Sequence, residues 1–330
     1  MPASNVPAPN MAAIDVKVLL DPEAAAALAG FPIDLGTLSD ETLPAIRQAM
    51  GAMPPVELTD LVTRTDRVVG RREAVPPGTP ELVVRVHQPV GAARPRPCVY
   101  WMHGGGLVLG SYAMDDARFD KWCTKFDCVG VSVEYRLAPE CQYPGPLEDC
   151  YAGLGWVHDH AQELGVDPAR IGIGGASAGA GLAAGLALLA RDRAEVPLAF
   201  QLLIYPMIDD RQITPSSSWL DPIWPPTANT YGWSAYLETR RGGADVPIYA
   251  AAARATDLAG LPSTLISVGA IDGYSDEDID YAVRLRQAGV PVELHVYPGA
   301  PHGFDALLPG LAISRRAQRD MEDWLGLQVC

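Results

Sequence analysis

From residue 97 onward, short apolar segments with strand character alternate with helical segments of ten or more residues. Strands separated by helices of this length pair in parallel, and the helices pack on both faces of the sheet. The predicted strands are PCVYWMH (97–103), CVGVSVEY (128–135), RIGIGG (170–175), LAFQLLIYP (198–206), STLISVGA (263–270) and VELHVYP (292–298). The sequence therefore predicts an α/β fold, with functional residues in the loops at the carboxyl ends of these strands.

Two segments fall outside this alternation. Residues 1–60 contain a short amphipathic helix and are predicted to form an amino-terminal cap segment ahead of a main domain at 61–330. Residues 207–240 are rich in tryptophan, tyrosine and proline, and they interrupt the alternation as an insertion. We expect both segments to form a lid over the strand ends. Between the first segment and the parallel strands, DRVVGRREAV (66–75) and ELVVRVHQPV (81–90) are predicted to form a hairpin.

The formal net charge of −15 argues against phosphate-rich partners. Nucleic acids and anionic membranes are bound by clustered Lys and Arg, so neither is expected as a partner. The uncharged stretch at 171–190 does not indicate a membrane span, because it is rich in glycine and alanine and holds a central serine. A buried strand, a tight turn and a buried helix explain this stretch better.

The amino terminus and the cysteines indicate the compartment. MPASNVPAPNMAAID has neither a basic nor an apolar region of the kind found in a secretory signal. The six cysteines match no zinc signature, and in a chain of this length they are typical of reduced thiols. We therefore expect a cytoplasmic protein with no metal and no organic cofactor.

The strongest motif is GASAG at 175–179, which matches GxSxG between a predicted strand and a predicted helix. Small neighbours let strand and helix approach closely around a serine on a sharp turn, at the positive end of the helix. One alternative is a glycine-rich turn without chemistry. Another is a dinucleotide-binding loop, since GIG at 172–174 begins GxGxxG, but Ser177 occupies the third glycine position. We interpret the motif as a nucleophile elbow with Ser177 as the nucleophile.

A second motif, HGGG at 103–106, directly follows the first parallel strand. Acyl transfer builds an oxyanion that needs preorganised donors, and glycine N–H groups can crowd around it without a side-chain clash. The N–H of Ala178, next to the nucleophile, supplies a further donor. The alternative is a flexible glycine loop. His103 precedes the serine, so we expect it to brace the loop rather than act as the base.

The base is expected after the serine, because hydrolases of this kind follow the order serine, acid, histidine. His295 and His302 qualify. His295 lies inside a predicted strand and is more typical of a packed or solvated strand residue. His302 lies in the loop PGAPHGF just past that strand, where its ring can reach the elbow. The sequence therefore predicts His302 as the base.

The acid is expected in the loop that follows the strand at 263–270. Ser275 can cap the next helix, and the acidic residues at 276–278 fall in its first turn, where anions offset the helix dipole. Asp272 remains in the loop at the strand end, and it is predicted to orient His302. Together, these three residues have the roles of a Ser–His–Asp triad.

With these motifs in place, the chain resembles the hormone-sensitive-lipase-like family of esterases, bacterial family IV, from about Val83 to Asp305. The resemblance implies an α/β-hydrolase fold, with a mostly parallel central sheet, helices on both faces and a helical cap. It also implies Asp272 as the acid and an oxyanion hole formed by Gly105, Gly106 and Ala178. The matching motifs are HGGG (103–106), YRLAPE (135–140), GASAG (175–179), IDGYSDE (271–277) and HGF (302–304).

Two positions depart from the family pattern. Ala176 stands where aspartate is usual, and Gly273 stands where proline usually follows the acid. Neither change removes a reacting group. YRLAPE and the pair Glu148–Asp149 are expected to brace the active-site loops without a catalytic role.

The expected function is hydrolysis of short- to medium-chain carboxylic esters through an acyl-enzyme, with a small-molecule ester as substrate. The same groups could instead cleave amides, as a deacetylase does. A protein of a different class, a small-molecule receptor, can have the same fold. Receptors that resemble this family lack the catalytic histidine, whereas His302 is present here. The resemblance further suggests a homodimer.

Overall fold

The structure is a computed structural model that describes residues 16–30, 33–52, 56–91 and 95–330. The segment compared with a secretory signal, residues 1–15, lies outside the described residues, as do small parts of the predicted cap segment 1–60. The strands are β1 Val62–Val69, β2 Leu82–Pro89, β3 Arg96–Met102, β4 Val129–Glu134, β5 Val166–Ala176, β6 Phe200–Ile204, β7 Ser263–Gly269 and β8 Val292–Tyr297.

All eight described strands form one sheet in the order β1-β2-β4-β3-β5-β6-β7-β8. β2 pairs antiparallel with both β1 and β4, whereas the pairs from β4 through β8 are parallel. The mostly parallel α/β sheet predicted from the alternation is confirmed. The strand ends that carry the site loops therefore meet at one edge of the sheet.

The helices lie on both faces of this sheet. They are α1 Pro22–Leu28, α2 Leu43–Gly51, α3 Asp116–Phe126, α4 Gly145–Asp159, α5 Ala178–Arg193, α6 Pro226–Leu237, α7 Ser275–Gln287, α8 Phe304–Leu307 and α9 Ala312–Val329. The buried apolar residues of α4, α5 and α7 belong to one cluster, and those of α3 and the carboxyl-terminal half of α9 belong to another.

Strand β3 shows why the sheet separates these clusters. Every residue of β3 is buried. Tyr100 and Met102 contribute to the cluster of α4 and α5, whereas Val99 and Trp101 contribute to that of α3 and α9. Successive side chains of a strand point to opposite faces, so a strand covered on both sides is largely apolar. This explains the continuous apolar runs in the sequence.

The hairpin of β1 and β2 is present, but its first strand ends earlier than predicted. The strand runs from Val62 to Val69 instead of through residue 75. Beyond it, the Arg71 side chain donates to the buried carboxylate of Asp149 at 2.7 Å and to the carbonyl of Pro80 at 2.6 Å. The partner strand β2 begins at Leu82, opposite Val69, so the chain beyond Val69 has no strand to pair with among the described residues.

The two segments predicted as a lid lie against each other. Helix α2 belongs to the amino-terminal segment, and helix α6 belongs to the insertion at 207–240. Tyr231 of α6 donates its hydroxyl hydrogen to Asp40 at 2.8 Å, just ahead of α2. Leu43 and Ile46 of α2 are buried against the main core, as the apolar face of the predicted helix requires.

Candidate active site

Ser177 occupies the turn between β5 and α5, and its backbone has φ 57° and ψ −122°. A positive φ is strained for a residue other than glycine, and the surrounding structure must hold it in place. The N–H of Ser177 donates to the carbonyl of Ile204 at 2.8 Å, and its carbonyl accepts from the N–H of Met207 at 3.1 Å. These bonds fix the turn against the end of β6, with the hydroxyl at the amino terminus of α5.

Gly175 and Gly179 allow the strand and the helix to meet at this turn. A Cβ atom on Gly175 would overlap the main chain of Gly179. A Cβ atom on Gly179 would overlap the carbonyls of Met102 and His103 at the end of β3. Backbone contact therefore demands glycine at both positions, which is the steric reason given for the GxSxG pattern.

The ring of His302 bridges Ser177 and Asp272. Its Nε2 atom lies 2.8 Å from the Oγ atom of Ser177, and its Nδ1 atom lies 2.7 Å from Oδ2 of Asp272. All three side chains are buried, with 7%, 1% and 5% of Ser177, Asp272 and His302 exposed. Loops that follow β5, β7 and β8 thus bring hydroxyl, imidazole and carboxylate into one hydrogen-bonded row.

Asp272 lies just past β7, and both of its carboxylate oxygens accept hydrogen bonds. Oδ1 accepts from the N–H of Tyr274 at 2.9 Å, which leaves Oδ2 directed at the imidazole. Helix α7 starts at Ser275 and has Tyr274 as its N-cap, with no side-chain cap bond. The prediction that Ser275 caps this helix was wrong, because the turn begins earlier, where the N–H of Ser275 donates to the carbonyl of Asp272.

The neighbouring acids have other contacts. Asp276 accepts from the N–H of Ser216 at 2.8 Å, and Glu277 accepts from the N–H groups of Ile208 and Asp209. Asp278 is fully buried and finds no hydrogen-bond partner among the described residues. Burial raises the pKa of both Glu277 and Asp278 well above the ordinary carboxyl range. None of these acids bonds to His302.

The HGGG turn at 103–106 lies beside the nucleophile. A Cβ atom on Gly104 would approach the Cβ atom of Ser177 to 3.6 Å, so the turn borders the serine. Gly105 and Gly106 have φ values of 121° and 61°, which favour glycine. In the described part of the chain, the N–H groups of Gly105, Gly106 and Ala178 donate to no loop carbonyl or side chain. These three N–H groups are therefore not engaged by the loop carbonyls and side chains of the described residues.

His103 braces this turn. Its Nδ1 atom lies 2.8 Å from the carbonyl oxygen of Gly104, and its ring stacks on Tyr135 with centroids 4.2 Å apart. The Tyr135 hydroxyl donates to the His103 carbonyl at 2.7 Å. Burial lowers the pKa of His103 to about 4, so the ring is neutral near neutral pH. His295, the other alternative base, lies on β8 and pairs with Glu293 at 2.7 Å.

The electrostatic environment of His302 favours a protonated ring. Burial by itself lowers the pKa of this imidazole, but the charge of Asp272 and its hydrogen bond outweigh burial. The charges of Asp221 and Asp305 act in the same direction, and the pKa lies above its usual value. The site can therefore accept a proton at His302 and keep it close to the reacting groups.

The insertion supplies two site residues that the sequence did not predict. The indole of Trp224 lies against Gly106, where a Cβ atom would overlap it, and its ring centroid is 6.4 Å from that of His302. The carboxylate of Asp221 accepts from the N–H of His302 at 2.7 Å. The aromatic richness of 207–240 pointed to the first residue, but no local signal connects Asp221 with a residue 81 positions away.

A residue of the amino-terminal segment also reaches the HGGG loop. Arg47 of α2 donates from Nε to the carbonyl of Val108 at 2.8 Å and from Nη2 to the carbonyl of Ala138 at 2.9 Å. It also pairs with Glu140 at 2.7 Å. The residues 135–140, predicted as a scaffold, thus connect the lid with the turn that carries the glycines.

Across residues 16–30, 33–52, 56–91 and 95–330, no group of three or more His, Cys, Asp and Glu side chains is arranged to hold a metal ion. Among the helices in those same ranges, none has the length and apolarity needed to cross a membrane.

Comparison with known proteins points to one family. The model of a family described by the alpha/beta hydrolase fold matches residues 99–306. The chain is 33% identical to Esterase LipI of Mycobacterium tuberculosis over 88% of its own length and 89% of that protein's. It is 34% identical to Carboxylesterase NlhH of the same organism over 86% and 88% of the two chains.

The solved structures agree with these sequence matches. A structure named Bacterial Heroin Esterase superposes with a TM-score of 0.86 at 41% identity, covering 95% of this chain and 99% of the other. Esterase LipW from Mycobacterium marinum superposes with a TM-score of 0.80 at 36% identity, covering 95% and 96%.

Proposed function

The chain belongs to the α/β-hydrolase fold family as a hormone-sensitive-lipase-like carboxylesterase, and we propose that it cleaves esters through an acyl-enzyme on Ser177. The observation that carries this proposal is the row in which His302 contacts Ser177 at 2.8 Å and Asp272 at 2.7 Å. A nucleophile, a base and an orienting acid within hydrogen-bond reach of one another are the elements of triad chemistry.

The proton transfers follow from this row. With a proton on Nδ1, His302 donates to Asp272, and Nε2 accepts the hydroxyl hydrogen of Ser177. As Oγ forms its bond to the acyl carbon, the hydroxyl proton passes to Nε2. The bond to the alcohol oxygen then breaks, and the alcohol leaves with that proton. A water molecule next gives a proton to Nε2 as its oxygen bonds to the acyl carbon. The bond between the acyl carbon and Oγ then breaks, and Nε2 returns the proton to Oγ, which releases the acid and restores the serine hydroxyl and the neutral base.

We further propose that Gly105, Gly106 and Ala178 form the oxyanion hole. Support comes from the contact of this glycine turn with Ser177 at Gly104, and from the three N–H groups, which donate to no loop carbonyl or side chain among the described residues. Donors that are already oriented stabilise the developing charge without reorganisation, and one such donor is worth about 3 kcal/mol in the transition state. Gly106 is held in place partly by Trp224, so the insertion contributes to this preorganisation.

The proposed substrates are esters of short to medium acyl chains. Support comes from bulky rings around the base, since Tyr205, Tyr274 and Trp224 lie 4.8, 5.0 and 6.4 Å from the His302 ring. These rings restrict the space in which an acyl group can lie. We propose that residues 1–60 and the insertion at 207–240 act as a cap over a hydrolase domain at 61–330, which the contact between Tyr231 and Asp40 supports.

We also propose a cytoplasmic location, which the six unpaired cysteines favour, since four of them are buried thiols. The homodimer suggested by the resemblance stays a prediction, and light scattering during size-exclusion chromatography would test it.

The proposal is tested by hydrolysis of p-nitrophenyl acetate, butyrate and octanoate. We expect turnover on the shorter esters, and we expect Ser177→Ala to reduce kcat by at least about 10⁴-fold. Matched anilides separate an esterase from an amidase, and a higher kcat/KM on anilides would favour the amidase. If the wild-type protein and Ser177→Ala were equally inert while binding a ligand, the receptor hypothesis would replace this one.

A further inference from the structure

Asp221 is a buried carboxylate in the insertion, outside the Ser177–His302–Asp272 row. It is 2% exposed. Oδ2 accepts from the main-chain N–H of His302 at 2.7 Å, and Oδ1 accepts from the N–H groups of Ile223 and Trp224 at 2.7 and 2.9 Å. Both oxygens are therefore bonded, and all three of these donors are main-chain groups.

Burial of a carboxylate costs free energy that its hydrogen bonds must offset. Burial, and then the nearby charge of Asp272, raise the pKa of Asp221 to about 6. Two acids that face one imidazole repel each other, and a neutral polar residue could accept the same main-chain bonds at a lower cost. The groups to which Asp221 bonds indicate what the acid contributes to the site.

One oxygen of Asp221 bonds to the main chain of the base, and the other bonds to the turn that carries Trp224. The first fixes the main chain of His302 at the residue that must reach Ser177. The second closes a turn that ends at Trp224, whose indole lies against Gly106. A single side chain of the insertion thereby sets the base relative to the proposed oxyanion turn.

We propose that Asp221 is a positioning residue for the reaction, holding His302 in line with Ser177 and Trp224 against Gly106. This inference rests on the proposed function of the triad. It makes the insertion a part of the catalytic geometry as well as a cover, because the base is aligned only when the insertion is docked. Misplacement of a reacting group by about 1 Å can reduce a rate about 10²-fold, so a positioning bond of this kind has a measurable effect.

The charged and titratable groups that face His302 come from several elements. Asp272 follows β7, Asp221 belongs to the insertion, and Asp305 lies on α8, where it accepts from the hydroxyl of Tyr205 at 2.7 Å. Removal of the Asp221 charge lowers the pKa of the imidazole, since that charge stabilises its protonated form. Asp272 and Asp305 remain in place in such a variant.

The test compares Asp221→Asn and Asp221→Ser with Asp276→Asn. Asparagine keeps the size but removes the charge and one acceptor. Serine can still accept from the N–H groups of the turn before Trp224 but cannot reach His302. Asp276 is a matched control, because it also holds a main-chain N–H of the insertion, that of Ser216, without contacting His302.

We expect Asp221→Asn and Asp221→Ser to lower kcat by about 10- to 100-fold with a smaller change in KM. The acid limb of kcat/KM should move to lower pH in both variants and stay in place in Asp276→Asn. Rates are expressed per active site titrated with a p-nitrophenyl phosphonate, so poor folding does not imitate a low kcat. Asp221→Ser should keep the wild-type preference for acyl length, since its turn still supports Trp224.

These experiments distinguish failure of the proposed function from failure of the positioning role. If Ser177→Ala retained activity, the proposed function would be wrong. If Ser177→Ala were inactive while both Asp221 variants had the wild-type kcat and acid limb per titrated site, the positioning role alone would be overturned. The positioning role would also be overturned if Asp276→Asn produced an equal loss of kcat and an equal shift of the limb.

Discussion

The indole of Trp224 lies directly on Gly106, so that a Cβ atom at residue 106 would overlap the ring. Trp224 belongs to the insertion, and Gly106 belongs to the turn that follows β3. Helix α6 also approaches this turn, because a Cβ atom on Gly232 would come within 2.5 Å of the Gly106 carbonyl oxygen. The insertion therefore defines the wall of the site next to the proposed oxyanion donors.

Replacement of Trp224 by leucine should shift the acyl preference toward longer chains. A smaller side chain opens space beside Gly106, and each extra methylene that a pocket accepts is worth about 10- to 200-fold in specificity. We expect the ratio of kcat/KM for octanoate over acetate to rise at least about tenfold. Trp156→Leu is the control, since Trp156 lies on α4, outside the insertion, where its ring stacks on His160. An unchanged ratio would show that Trp224 does not limit the acyl pocket.

Arg47 should stabilise the fold more than its ion pair suggests. Its guanidinium bonds to the carbonyls of Val108 and Ala138, and its pair with Glu140 is largely exposed, at 63% for the glutamate side chain. Exposed pairs contribute roughly 0–1 kcal/mol, whereas charged hydrogen bonds to carbonyls contribute roughly 1.5–3 kcal/mol. Urea unfolding should therefore show a larger loss in the free energy of unfolding for Arg47→Ala than for Glu140→Gln. Equal losses would place the stabilisation in the ion pair.

The pH profile of activity should report the protonation of His302. The pKa of this ring lies above its usual value of 6.5, and the base must be neutral to accept the serine proton. Activity should thus rise with pH through an acid limb above pH 6.5, measured as kcat/KM on p-nitrophenyl butyrate. Since the pKa of His103 is lowered to about 4, that residue does not titrate in this range. A limb at or below pH 6.5 would contradict the raised pKa.

His103 should make the free energy of unfolding depend on pH below pH 6.5. Its pKa is about 4 in the folded chain, because it is buried, and about 6.5 in the unfolded chain. Between these values the unfolded state binds a proton that the folded state does not, so stability is present above pH 6.5 and is lost as pH falls. The loss should be about 1.4 kcal/mol per pH unit and roughly 3 kcal/mol in total. His103→Gln should flatten this slope in urea unfolding at pH 7, 6 and 5; an identical slope would refute the prediction.

The sequence predicted the features that depend on neighbouring residues. The alternation of strands and helices is local, and so are the small residues around Ser177, whose overlaps explain the pattern. Asp272 could be separated from the acids at 276–278 because it lies in the loop between strand and helix. The end of β1 at Val69 was misplaced because its partner strand begins opposite it, at Leu82, and beyond that point Arg71 bonds to the distant carboxylate of Asp149.

Contacts between distant segments could not be predicted from the sequence. Asp221 bonds to His302 across 81 residues, and Arg47 bonds to Val108 across 61. Each depends on how the amino-terminal segment or the insertion docks on the sheet, and no spacing rule in the sequence specifies that docking. The aromatic residues of the insertion indicated a lid but not which ring would meet Gly106.

Covalent labelling with a p-nitrophenyl phosphonate, followed by peptide mapping, would identify the nucleophile without reliance on turnover. The phosphonate forms a bond to the nucleophile and releases p-nitrophenol, as an ester releases its alcohol. We predict one label per chain, on the peptide that holds Ser177, with slow labelling in His302→Ala and none in Ser177→Ala. A label on a different residue, with activity retained in Ser177→Ala, would contradict the proposed mechanism.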